Sequence, residues 1–125
     1  MPEVKDSILD TTKKILGLDA DYTAFDLDII THINSVFFTL QQLGVGPKDG
    51  YHIIDNTASW TIYLGVNQNL NAVKSYLYMR VRLLFDPPST SYAIESMNKQ
   101  AQELEWRLNV YSEGVKHPWE TPSPQ

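Results

Sequence analysis

Apolar residues recur along most of the chain at the three- and four-residue spacing of helices lying on a core, and glycine or proline closes each run. The first run carries Ile8, Leu9, Thr12, Ile15 and Leu16 on one side. Ser7 with Asp10 fits a capping-box start there, and Gly17 a left-handed stop. A second run opens at Thr23, with Asp26 three residues on, and places Phe25, Ile29, Ile33, Val36, Phe37, Leu40 and Leu43 on one face as far as Gly44. Leu27, Ile30 and Phe38 widen that face, which predicts a central helix touched on more than one side. A third helix is predicted from Leu70 to Phe85, with Val73, Leu77, Val81 and Leu84 as its core stripe and Tyr76, Tyr78 and Met79 elsewhere on the cylinder. The fourth, capped by Ser89 or Ser91, repeats Ile94, Met97, Ala101, Leu104, Leu108 and Tyr111 as a seam. Its outer face alternates Glu95, Lys99, Glu103 and Arg107 in sign.

The connections carry their own signals. Residues 44–69, GVGPKDGYHIIDNTASWTIYLGVNQN, lose the helical period and hold four of the six glycines. Within them YHII predicts a short extended piece, and SWTIYL a single helical turn capped by Ser59 or Thr57. The stretch VRLLFDPPSTS ends the third helix. Pro87 moves Asp86 out of the α region and Pro88 does the same to Pro87, so the chain makes a stiff corner. Asp86 can pair there with Arg82 one turn back, or accept N–H groups from the next helix. The end, YSEGVKHPWETPSPQ, has three prolines and little apolar content besides Tyr111, Val115 and Trp119. Such a segment takes shape only against a partner.

The expected fold is therefore all-α: a small bundle of four main helices with a long irregular connection, occupying residues 1–110, and an extended tail over 111–125. A length of 125 residues with 42% hydrophobic content suits one such domain. The opening MPEVKDSILD has no basic-then-apolar leader, and no stretch nears the roughly 18 apolar residues of a membrane span, so a soluble, untargeted chain is expected.

Charge and composition narrow the chemistry. A net charge of −5 opposes wrapping of nucleic acid by the monomer. The absence of cysteine excludes disulfides and thiolate sites. LDADYTAFDLD suggests a calcium loop begun at Asp19, but Ala24 stands where glycine is required and Ile30 where the bidentate glutamate belongs. His32, His52 and His117 lack local ligand partners, and GVGPKDG lacks the Gly-Lys-Ser/Thr ending of a phosphate loop. With no nucleophile motif either, neither an enzyme, a cofactor nor a metal is expected. Lys74, Arg80 and Arg82 concentrate positive charge on the third helix. Arg80 and Arg82 lie about 200° apart around it, which favours salt bridges over a shared phosphate. Trp106, off the seam, either closes a second patch against the 44–69 connection or anchors a subunit contact.

The stretch VKSYLYMRVRLLFDPPSTSYAIESMNKQAQELEWRLNV, residues 73–110, resembles head–tail connector (adaptor) proteins of long-tailed, siphovirus-type phages. The likeness lies in K-x-Y-x-x-x-x-V-R-L-L-F-D-P-P followed by a helix ending in E-L-E-W-R-L-N. DNTASWTIYLG and ILDTTKKILGLDADYTAFDLDIITHINSVFFTLQQLGVGP are also similar in order and spacing. The resemblance implies a structural virion protein at the neck, assembled from the host cytoplasm into a dodecameric ring. Such a ring joins the portal protein to the stopper or tail-completion protein and passes DNA without specific binding or membrane contact. It implies that the C-terminal segment docks into the portal, through positions Tyr111, Val115, His117, Pro118 and Trp119 here. Subunit contacts and the corner would fall to Tyr76, Arg80, Arg82, Asp86, Pro87, Pro88 and Trp106. The rival readings are a free-standing DNA-binding module using helix 70–85, and a small enzyme using Asp and His from separate helices.

Overall fold

Ser7 accepts a hydrogen bond from the Asp10 N–H at 3.1 Å, and α1 (Ile8–Ile15) starts from that cap. The computed structural model describes residues 6–65 and 70–116, with the backbone alone for 113–116. After α1 come α2 (Asp26–Gln42), the short α3 (Trp60–Leu64), α4 (Leu70–Phe85) and α5 (Ser91–Lys116).

Glycine ends both α1 and α2 in the same way. Gly17 has φ +84° and Gly44 φ +87°. The Gly44 N–H bonds to the Gln41 carbonyl and the Val45 N–H to the Leu40 carbonyl, each at 2.9 Å. This pair of bonds is the Schellman arrangement, which satisfies carbonyls that the helix alone leaves free.

Other ends depart from expectation. α2 is capped by Phe25 with no side-chain bond, and Thr23 offers only its carbonyl to the Asp26 N–H at 3.2 Å. The Asp26 carboxylate is engaged instead by Lys13, and Phe25 packs edge-on against Phe85 with centroids 5.4 Å apart. The α5 cap is Thr90, whose Oγ1 accepts from the Ala93 N–H at 3.2 Å, rather than Ser89 or Ser91. α5 also continues past residue 110, so Tyr111, Ser112 and Val115 are helical rather than the start of an extended tail.

The connection contains no paired strand at YHII. Asn34 of α2 takes both backbone groups of Ile53, donating to its carbonyl at 3.0 Å and accepting its N–H at 2.8 Å. α3 starts at the expected Ser59 cap. An antiparallel bridge of Ser7 and Ser59 ties the connection to the start of α1.

α4 packs between α2 and α5, while α1 lies on α2. Burial of Ile29, Ile33, Val36, Phe37 and Leu40 from α2, Val73, Leu77 and Val81 from α4, and Ala101 and Leu108 from α5 makes the centre. Trp60 and Tyr63 add a second layer, stacked around Phe37 at centroid distances of 6.4 and 4.6 Å. Four stripe residues stay outside: Ile15, Phe25 and Tyr111 are exposed, and Leu84, 54% exposed, lines a cleft together with Pro87 of the corner. Tyr76, expected off the core stripe, is only 1% exposed. Among the described residues no helix is long and apolar enough to cross a membrane.

Candidate interaction surfaces

The corner begins with the Asp86 N–H donating to the Arg82 carbonyl at 2.8 Å, the last helical bond of α4. Among the described residues the Asp86 carboxylate takes neither expected partner; it faces solvent, as does Pro87. Arg82 is half-buried, and among the described residues its Nε has no hydrogen-bond partner. The stiffness of the corner comes from the prolines, not from an ion pair.

One turn inward, α4 and α5 are joined by a polar cluster. The Tyr76 hydroxyl donates to Glu105 Oε2 at 2.7 Å, and the Arg80 guanidinium pairs with the same oxygen. Arg80 also reaches Asn98 at 3.4 Å and lies 5.6 Å from the centre of the Tyr76 ring. Burial pushes the Tyr76 hydroxyl up to about 12, and its bond to the Glu105 carboxylate pushes the same way. For Arg80, burial opposes the charge but its hydrogen bonds with Tyr76 and Glu105 outweigh it, so the guanidinium is held charged. These shifts lead away from neutral pH and fix a structural link. A general acid or base needs the opposite tuning.

The cluster floors a cleft of about 640 Å³ whose walls are Val36 and Thr39 of α2, Leu83 and Leu84 of α4, and Pro87 and Ile94. Beside it runs the outer stripe of α2. Leu27, Thr31, Ser35, Phe38 and Gln42 are all exposed there, and none is charged. On α5 Trp106 is 51% exposed and lies outside the hydrophobic core. Its neighbours Glu103 and Arg107 form the expected surface ion pair at 2.7 Å. Tyr111 is exposed, and His117, Pro118 and Trp119 lie outside the described residues.

The aspartates at the start of α2 border a different space. Asp10, Asp19, Asp21, Asp26 and Asp55 line an open cleft of about 910 Å³ together with Ile30 and Ile54. Among the described residues no three acidic or histidine side chains are grouped to hold a metal ion.

Two of the three basic residues of α4, Lys74 and Arg80, are engaged within the fold. Lys74 sits 3.7 Å from Asp6 and over the Trp60 ring at 5.8 Å. The Thr61 hydroxyl, first, and then the Thr61 N–H and Lys74 keep the Asp6 carboxyl below its ordinary value against the opposing effect of burial. Of the residues singled out in sequence, Tyr76 and Arg80 come together, with Glu105 as the partner that sequence reasoning missed. The available signal was that Glu105 falls outside the alternating outer row of α5. Arg82, Asp86 and Trp106 do not join them.

A protein-family model described as phage connector protein matches residues 8–115. No curated protein and no solved structure gives a significant match.

Proposed function

The chain belongs to the phage connector protein family, and on that premise we propose that it is a virion structural protein whose copies form a ring at the neck. The ring, dodecameric by resemblance, joins the portal to the stopper or tail-completion protein and lets DNA pass. The observation that carries this reading is the extent of the family match, which takes in α1 to α4, the proline corner and α5 as far as residue 115.

Geometry supports the ring in two ways. A closed ring of one chain needs two unlike surfaces that meet head to tail. The uncharged outer stripe of α2 with Leu84 supplies one, and the Trp106 side of α5 supplies the other. Tyr76 is withdrawn from that role by its burial, and Arg80 by its pairing with Glu105. An acidic subunit repeated around a channel also repels the duplex and keeps it mobile.

The DNA-binding alternative finds less support. Recognition by α4 needs a free helix face with several unengaged basic side chains, yet α4 is packed between two helices with Lys74 and Arg80 engaged, which leaves Arg82 alone. Weak retention on heparin at low salt is the matching expectation.

The terminal segment is proposed as the portal-docking element. Removing residues 117–125 leaves α5 whole, so the truncated chain should melt like the full chain and fail to join filled heads to tails. Normal joining by that truncation would sink the docking role. Electron cryo-microscopy of intact necks, by counting subunits and locating their neighbours, tests the ring itself.

A further inference from the structure

The end of α5 is fastened to the end of α2 by side chains. Ser112 Oγ donates to the Gly44 carbonyl at 2.9 Å, with Ser112 only 5% exposed. One turn earlier, Asn109 Nδ2 reaches the Leu43 carbonyl at 3.4 Å, a longer and weaker bond. The Schellman bonds of α2 use the carbonyls of Leu40 and Gln41, and Leu43 itself bonds back to Thr39. Leu43 and Gly44 lie past those acceptors, where a helix end must find donors from elsewhere. A serine inside a helix commonly bonds to the preceding turn of its own helix. Ser112 bonds across to another.

Beyond this point α5 runs on to Lys116, about 6 Å at a rise of 1.5 Å per residue. We infer that Ser112, assisted by Asn109, is a positioning residue that sets the direction in which the last turn of α5 and the chain after it leave the bundle. The inference rests on the portal-docking reading of the terminal segment. A fixed exit direction lowers the ordering cost when that segment meets its site, so joining at low protein concentration is where the effect shows.

The test uses the full chain, which lacks native cysteines and so accepts spin labels at Asn71→Cys and Lys116→Cys without competition. Ser112→Ala removes the hydroxyl at nearly constant volume. Asn109→Asp, at an exposed site, is the second variant, replacing the donor by a carboxylate facing the Leu43 carbonyl. Each should broaden the distance distribution between the labels. In the unlabelled chain, losing one hydrogen bond should speed amide exchange over residues 110–116 about fivefold, with α2 and α4 exchange unchanged. Joining of heads should slow at limiting protein and recover in excess. Unbroadened distances in both variants overturn the inference, as does broadening with joining at the normal rate. Failure of the docking reading is read separately, from the 117–125 truncation.

Discussion

Lys13 is fully buried, and its ammonium stands 2.8 Å from the Asp26 carboxylate and 2.9 Å from the Ala20 carbonyl. The pair is uneven, because the Asp26 side chain keeps 27% of its surface in water. Removing the lysine leaves the Asp26 Oδ1 buried, but on a carboxylate that is otherwise partly in water; removing the aspartate leaves a fully buried charge with one carbonyl. Asp26→Ala is therefore expected to cost about 3–5 kcal/mol, the range for stranding one member of a buried pair. Lys13→Met, which keeps the apolar stem, should cost about 1–2 kcal/mol. Urea unfolding of the two variants decides it, and equal losses would contradict the asymmetry.

The tyrosines predict a loss of stability in alkali. Burial raises Tyr51, Tyr63, Tyr76 and Tyr78, and Tyr76 is raised to about 12 with help from Glu105. A group with a raised folded pKa stabilises the fold fully below its unfolded value, near 10 for tyrosine. That stabilisation is lost as pH climbs through the folded value. The melting temperature should thus fall steadily between pH 10 and 12, and Tyr76→Phe should flatten the fall. A profile of the variant parallel to that of the parent would count against this account.

What sequence shows about this fold is mostly local. The bounds of α4, the Ser7 and Ser59 caps and the glycine stops at Gly17 and Gly44 follow from chemistry within a few residues, and they stand in the structure. The cap at Phe25 was hidden because distant partners decide it: Lys13 claims Asp26, and Phe85 holds Phe25. The cap at Thr90 is a local bond to the Ala93 N–H, one of three adjacent hydroxyls that could have made it. Tyr76 looked like surface because its partner Glu105 is 29 residues away on another helix. The continuation of α5 to Lys116 is compatible with its local sequence, since residues 111–116 contain no proline to interrupt the helix.

Gly46 and Gly17 share a left-handed backbone, with φ of +89° and +84°, but differ in surroundings. A methyl group on Gly46 would lie 2.7 Å from the Tyr63 hydroxyl and 2.8 Å from its ring, whereas nothing stands within 4 Å at Gly17. Alanine at Gly17 should cost about 1–2 kcal/mol from the backbone alone. At Gly46 the displacement of buried Tyr63 should add about 1–3 kcal/mol. Chemical denaturation that ranks the two variants equally would show that Tyr63 moves freely.

The proposed ring faces make a paired prediction. Phe38→Asp and Trp106→Asp both alter exposed side chains, so each isolated chain should melt within about 0.5 kcal/mol of the parent. Each should nevertheless fail to assemble on filled heads, since a buried unpaired carboxylate at an interface is strongly unfavourable. Light scattering of head-bound particles measures occupancy. Full occupancy by either variant would remove that face from the ring.

The proline corner separates stiffness from stability. Pro87 is exposed and Pro88 half-buried, while α4 and α5 are held to each other by the Tyr76, Arg80 and Glu105 cluster and by core packing. Alanine at both positions removes the constraint on Asp86 and Pro87, and it frees the unfolded chain by about 0.4–1 kcal/mol per proline. The bundle should therefore unfold only slightly earlier, with the cap at Thr90 still starting α5. Amide exchange at residues 86 and 89–91, by contrast, should accelerate well beyond that of α4, because the corner would open without the helices parting. Should the double variant also assemble on heads as the parent does, a rigid angle between α4 and α5 is not what assembly requires.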